Sequence, residues 1–503
     1  MCLHELESTM QNDLDPSVAD PLIATAIPAH PQKKGQSALA WIMIVLLVLL
    51  VLVMHAIAPP GAAFSSGQGL DVRLMQMQAR YLIGAKELSG MSGKDVYEQA
   101  KGLNGGRVEQ RLRFVVLAGE LAGPAKALDE LNDLGAKLRE AGVDETPEQA
   151  TLEDDLRRLY EDYRAGRLQA PSVSNDEKQQ LRTELGWFGD LALAPAGGPD
   201  PETRAAILGS AHRTVLALLG YIIGLGLLGL LGFVGLVVFV ILLFSGKLQR
   251  GVQTGLLHGG VYAETFAVWM ALFMALSLGA ERLSFGTDLR WLFTGLASLL
   301  SLSALFWPVL RGIPWSQVRW EIGLKLGKRP PLEPLIGVAT YAMAIPMVAL
   351  GLLVTFAILL LEGALQGLGG TAENFNQGHF PSHPIVEYVA SGDWWARLQI
   401  LLLASVIAPI VEETMFRGVL YRHLREASAR LGLGLSILCS AVCVSFLFAV
   451  IHPQGLEAVP ILMGLAFTFC LVREWRGSLV PAMIAHGISN GLVLSLLILA
   501  MGD

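Results

Sequence analysis

LQILLLASVIAPIVEETMFRGVL, residues 398–420, is long and apolar enough to cross a bilayer as a helix. Yet Glu412, Glu413 and Arg417 lie within six positions of one another inside it, just after Pro409. A charged side chain near the bilayer centre costs roughly 2.5–3.5 kcal/mol on insertion scales, and residues that costly mark a functional site with partners on neighbouring helices. Glu413 and Arg417 are four apart, in the order that favours an ion pair. Glu412, turned about 100° around the helix, is then the freer carboxylate. Pro409 removes a backbone hydrogen bond just upstream and is expected to kink the helix or open it to water.

Two later apolar stretches carry polar residues that could meet these carboxylates. One is Phe448-Ala-Val-Ile-His452 and the other His486-Gly-Ile-Ser-Asn490. His486 and Asn490 share a helical face, and Phe448, one turn before His452, can wall the site. Either histidine alone reads as a satisfied core residue. Taken with Glu412 they would each carry a desolvation cost unless they converge. A carboxylate and two imidazoles in a low-dielectric pocket suit activation of water, and an imidazole with an asparagine suits a developing oxyanion. The reaction class implied is hydrolysis of an acyl bond, most simply a peptide bond. Glu412, His452 and His486 could equally hold a zinc ion.

The surrounding chain fits this setting. It has 503 residues, 53% hydrophobic and only 16% charged, against about 25% charged in a soluble domain, and a mean hydropathy of +0.50. The expected fold is all-α: a polytopic membrane helix bundle of about nine transmembrane helices with an inserted helical soluble domain. A net charge of -7 with no basic stripe gives no sign of nucleic acid as a partner. The partners implied are membrane lipid and a peptide or protein substrate in or at the membrane. Cys439, Cys443 and Cys470 fall in apolar runs and read as packing residues; with Cys2 they make no disulfide framework.

In order, residues 1–37 read as a disordered cytoplasmic tail and 38–58 as a first anchor, the lysines at 33 and 34 placing the N-terminus inside. Residues 59–213 read as an extracytoplasmic array of five or six short helices. Thr146-Pro147 and Ser174 with Glu177 start helices; Gly105-Gly106 and Gly123-Pro124 separate them. Nothing in this part resembles a catalytic constellation. Residues 214–503 read as an eight-helix block with spans at 214–244, 261–280, 291–310, 335–361, 398–420, 433–451, 456–472 and 479–500. Its glycine-rich first span is expected to be tilted or broken near 224–232. Arg311, Arg319, Arg422, Arg425, Arg473 and Arg476 fall in inward loops, and the loop from Glu362 to Asp393 has no Lys or Arg; Arg282 and Arg290 run against the scheme. The protein is thus expected in the cytoplasmic (inner) membrane.

Glu412, Glu413 and Arg417, Phe448 and His452, and His486 and Asn490, in this order on successive apolar helices, resemble the CPBP family of CAAX-processing and bacteriocin-processing intramembrane proteases, over roughly 394–497. The resemblance implies Glu412 as the base with His452 beside it, His486 and Asn490 as oxyanion binders, and Glu413 with Arg417 in support. It leaves open a glutamate-only mechanism or a metalloprotease, and substrates that are prenylated or bacteriocin-like. The alternative is a non-catalytic membrane immunity or scaffold protein that keeps the polar cluster for partner binding. Depth poses a difficulty. Glu412 would lie about 20 Å from the outer edge at 1.5 Å per residue, whereas His452 would end a span begun at Leu433. Residues 430–437 are therefore expected to lie along the inner interface, with the crossing starting later. His258, His379, His383 and His423 read as surface residues, Trp394-Trp395 as an interfacial anchor, and Glu264 as reaching the headgroups.

Overall fold

The computed structural model describes residues 35–57, 68–248, 250–252, 258–327, 329–367 and 394–501. Positions 1–34 of the expected tail, with Cys2, and His379 and His383 lie outside them. The protein is a polytopic all-α membrane bundle: among the described residues nine helices are long and apolar enough to cross a membrane, and there is no strand. The first is α1 (Ser37–Ile57). It packs on a helix far along the chain, Val261–Leu283, where Gly35 bridges Gly259.

Seven helices follow rather than five or six: α2 (Gln68–Ser89), α3 (Gly93–Ala100), α4 (Val108–Ala122), α5 (Pro124–Ala141), α6 (Pro147–Arg164), α7 (Asn175–Leu185) and α8 (Trp187–Leu193). The extra breaks have local causes. Gly90, at φ 66°, turns the chain before Ser92 caps α3, and Gly186, at φ 59°, ends α7 directly before α8. Thr146 starts α6 as expected and closes a capping box with Gln149, Ser174 forms the expected box with Glu177, and Gly123 separates α4 from α5. Leu112, Phe114, Leu131, Leu156, Leu159 and Phe188 pack into one core, which closes on Ile207 and Ala211.

Those last two residues belong to α9 (Pro201–Phe244), an unbroken helix of 44 residues, about 66 Å long at 1.5 Å per residue. Position 213 therefore falls inside a helix, and the glycines at 224–232 do not interrupt it. Gly232 instead lets the Ala342 carbonyl approach so closely that a Cβ there would sit 1.8 Å from its oxygen. At its far end Phe239 meets Trp475.

Asp162 on α6 gives the first half a pH signature. Its carboxylate, 2% exposed, accepts from Arg167 and from the backbone N–H and hydroxyl of Ser172. Burial raises its pKa, but these donors outweigh burial and hold it at about 2. A folded-state value below the unfolded one of about 3.9 stabilises the fold above pH ~4, and that stabilisation is lost as pH falls toward 2. The destabilisation caused by Asp162→Asn should therefore shrink between pH 4 and 2 in detergent melts of the intact protein. A gap that stays constant over that window refutes the assignment.

The membrane part continues with α10 (Val261–Leu283), α11 (Arg290–Ser301, extended by tighter turns to Leu310), the short α12 (Trp315–Ile322), α13 (Glu333–Gly367), α14 (Trp394–Ala427), α15 (Leu433–Val450), α16 (Val459–Arg476) and α17 (Val480–Met501). Helices α13 and α16 touch backbone to backbone. A Cβ at Gly351 would lie 2.4 Å from the Pro460 carbonyl oxygen, and one at Gly464 2.3 Å from that of Met347. Small residues permit such approaches between membrane helices. Gly464→Val is expected to force the pair apart at a cost of about 1–3 kcal/mol, read as a lowered melting temperature in detergent. An unchanged melt would show that the contact carries no stability.

Two readings are corrected. Cys439 and Cys443, read as packing residues, face outward from the bundle, and of the described cysteines Cys470 alone is buried. Glu264 does not simply reach outward: it accepts from Trp307 Nε1 at 2.9 Å and pairs with Arg311 at 3.1 Å.

Candidate active site

The carboxylates sit in an unusual helix. Within α14 the backbone opens into π turns at Leu403–Ile407 and Thr414–Leu420, leaving a short α segment, Ala408–Glu413, between them. Such wide turns occur often at functional sites. Pro409 explains the first. It cannot donate, and its ring clashes with the carbonyl four residues back, so ordinary α bonding fails here. The Ala408 N–H bonds the Leu403 carbonyl instead.

Glu413 and Arg417 form the ion pair read from their spacing, Nη1 to Oε1 at 2.7 Å, both side chains 0% exposed. The Arg417 guanidinium lies over the rings of Phe448 (4.4 Å) and Phe469 (5.3 Å), a placement that favours a cation against aromatic faces. His486 Nδ1 sits 2.9 Å from the same Glu413 oxygen. A carboxylate paired with arginine can only accept, so Nδ1 carries the hydrogen and Nε2 faces the other way. His452 is held likewise: its Nδ1 bonds the Phe448 carbonyl, which also can only accept. Phe448 stacks on His452 with ring centroids 4.3 Å apart and meets His486 at 5.8 Å.

Both Nε2 atoms end up 3.8 Å from Glu412 Oε2. That is too long for a direct hydrogen bond. The side chain of Glu412 is 26% exposed, yet its Oε2 is buried without a hydrogen-bond partner among the described residues, as are Glu413 Oε2, Ser405 Oγ and Arg417 Nε and Nη2. The structure therefore gathers Glu412, Glu413, Arg417, Phe448, His452 and His486. The Asn490 amide, by contrast, donates to the Ala404 carbonyl at 2.8 Å. Among the described residues no group of three His, Cys, Asp or Glu is gathered so as to hold a metal ion, Glu412, His452 and His486 included.

The depth difficulty is resolved otherwise than by a separate interfacial segment. Helix α15 begins at Leu433 as one piece. However, Ser428, just past the end of α14, bonds the hydroxyl of Ser436 at 2.7 Å and reaches Ser440 at 3.1 Å. The first turn of α15 therefore lies below the level at which α14 ends. Counted from that shared level, Glu412 and His452 are each sixteen positions along their helices, about 24 Å at 1.5 Å per residue. His452 starts the turn through Pro453 and Gln454, all half-buried.

Sequence reasoning missed a second polar cluster at the opposite end of α14. Glu321 accepts from Tyr262 at 2.7 Å, with His258 Nε2 at 3.0 Å and Arg422 at 3.8 Å. Arg425 is bidentate to Glu474 at 3.0 and 3.1 Å, and Arg473 donates to the Glu321 carbonyl at 2.9 Å. His423 accepts from Trp41 Nε1 at 3.2 Å. His258 and His423 are thus buried rather than surface residues, because the segments that carry them pack back onto the bundle. With Glu426, which pairs with Arg422 at 3.2 Å, three glutamates match three arginines in this cluster, which ties α1, α10, α12, α14 and α16 together.

Residues 393–492 match the protein family described as Type II CAAX prenyl endopeptidase Rce1-like. The chain carries an Rce1-like domain. That domain holds every residue of the site built above and none of the first 392 residues. A curated relative, the membrane-embedded CAAX protease MroQ of Staphylococcus aureus (strain USA300), is 29% identical over 93 residues, 18% of this chain and 37% of that protein. The likeness to MroQ thus covers little more than a third of the relative's length. No solved structure matches the chain.

Proposed function

We propose that the chain is an intramembrane endopeptidase of the CAAX type that hydrolyses peptide bonds of membrane-associated polypeptides, with Glu412 as the base. The observation that carries this reading is the buried Glu412 Oε2, unpartnered and 3.8 Å from two imidazole Nε2 atoms. One water donating to Glu412 Oε2 and to His452 Nε2 would be oriented for attack. Glu412 takes a proton as the water oxygen bonds the scissile carbonyl carbon, whose C=O electrons move onto oxygen. In this step His486 acts as the imidazolium, with hydrogens on both ring nitrogens: Nε2 donates to that oxyanion while Glu413, which accepts from Nδ1, offsets the charge. His452 orients the water. Glu412 then returns its proton to the amide nitrogen as the C–N bond breaks.

The resemblance also allows zinc held by Glu412, His452 and His486, but the reading proposed needs none, and no step above runs through a metal. Chelator treatment is accordingly expected to leave cleavage intact. Prenylated substrates are proposed on the strength of the family description alone. The first-half helices pack on the N-terminal end of α9, and the arginine-rich cluster lies toward its other end. By the positive-inside rule this supports a cytoplasmic N-terminus, the helical array outside and the inner membrane as location.

The test compares membrane polypeptides from cells making the intact chain or its Glu412→Gln variant, read by mass spectrometry of new termini. Substrates should accumulate uncut only with the variant. Identical termini in both would overturn the reading and favour the scaffold alternative.

A further inference from the structure

The Asn490 amide serves a carbonyl two turns upstream of Glu412. In the π turn at Leu403–Ile407 the Leu403 carbonyl takes the Ala408 N–H. The next donor in that register would be at position 409, where proline has none. The Ala404 carbonyl is left over, and Asn490 Nδ2 reaches it at 2.8 Å. The approach is built in. A Cβ at Gly487 would lie 2.4 Å from the Ser405 carbonyl oxygen, and one at Gly491 3.3 Å from Ser405 Oγ. Gly487, Asn490 and Gly491, at helical spacings of three and four, thus lay one face of α17 flat on this turn. Only that closeness lets a side chain as short as asparagine span the gap.

We propose that Asn490 is a positioning residue: it supplies the hydrogen bond that Pro409 withholds and so holds the π turn that sets the rotation of Glu412. The proposal rests on reading Glu412 as the base. Relaxing the turn by one residue would swing Glu412 about 100° away from the imidazoles. Ala404 is eight residues before Glu412, about 12 Å along the axis.

A double-mutant cycle decides it, because Pro409→Ala puts an N–H where the backbone lacks one. Asn490→Ala should lower kcat at least about tenfold in the natural background and less than about threefold in the Pro409→Ala background. An equal loss in both backgrounds would mean that Asn490 contacts the reacting carbonyl, and no loss in either that it does nothing; both overturn the proposal. Hydrogen exchange at residues 403–410 of the full-length protein gives a readout free of substrate. Exchange should quicken in Asn490→Ala and recover in the double variant, and failure to recover refutes the capping role. That arm holds even if Glu412→Gln shows that the chain is no protease. Should Asn490→Ala fail to accumulate, Asn490→Ser, too short to reach Ala404, carries the same expectations.

Discussion

Glu412→Gln is expected to slow peptide cleavage by about 10²–10⁴-fold, the range typical of losing a positioned general base, while the protein accumulates and melts like the original. The two halves of this expectation come from one observation. Glu412 Oε2 makes no hydrogen bond within the described fold, and two imidazole nitrogens lie 3.8 Å from it. A neutral amide of the same shape therefore breaks nothing structural, but it cannot accept a proton from water. Glutamine also removes the charge that would sit beside a protonated His486, so oxyanion stabilisation should weaken with the base. The measurement is single-turnover cleavage in vesicles, with the melting temperature determined on the same preparation. Cleavage at the original rate would sink the assignment of Glu412. A collapsed melting temperature would instead show the carboxylate to be structural.

The nine spans among the described residues were legible because apolar length is a one-dimensional property, read directly from residues such as 261–280 or 433–451. The core of the site was legible for a related reason. Charges in apolar runs stand out, and spacings of four place Glu413 against Arg417 on one helix face. What stayed hidden depends on contacts between helices distant in sequence. Nothing near Glu321 announces His258, Tyr262 or Arg422 as its partners. The π turns were hidden because a period of 3.6 and one slightly wider look alike over five residues; Pro409 was their one local sign. Depth was misjudged because adjacent helices were assumed to start level, whereas the Ser428–Ser436 bond sets α15 lower than the end of α14. Asn490 shows the same limit: its spacing from His486 fixes its face, but its partner, the Ala404 carbonyl, exists only because of a turn the sequence does not spell out.

The largest stability effect should come from splitting the Glu413–Arg417 pair. Arg417→Met alone leaves the Glu413 carboxylate 0% exposed and without its countercharge, and breaking such a buried pair costs about 3–5 kcal/mol. Glu413→Gln alone should cost a similar amount, since the guanidinium keeps the Phe448 and Phe469 faces beside it but loses its countercharge. Replacing both is different, because uncharged residues of similar volume often substitute for a buried ion pair without loss. The introduced methionine would lie against the two aromatic rings, and the introduced glutamine could still accept the His486 Nδ1 hydrogen through its amide oxygen. The double variant is thus expected to melt near the original temperature while both single variants melt well below it. Its cleavage should nevertheless stay slow, because the charge behind His486 is gone even though the ring keeps its place. A double variant as unstable as the singles would mean that the pair's geometry, not its charge balance, holds the helix. One that cleaved at the original rate would remove Glu413 from the chemistry and leave it a structural partner only.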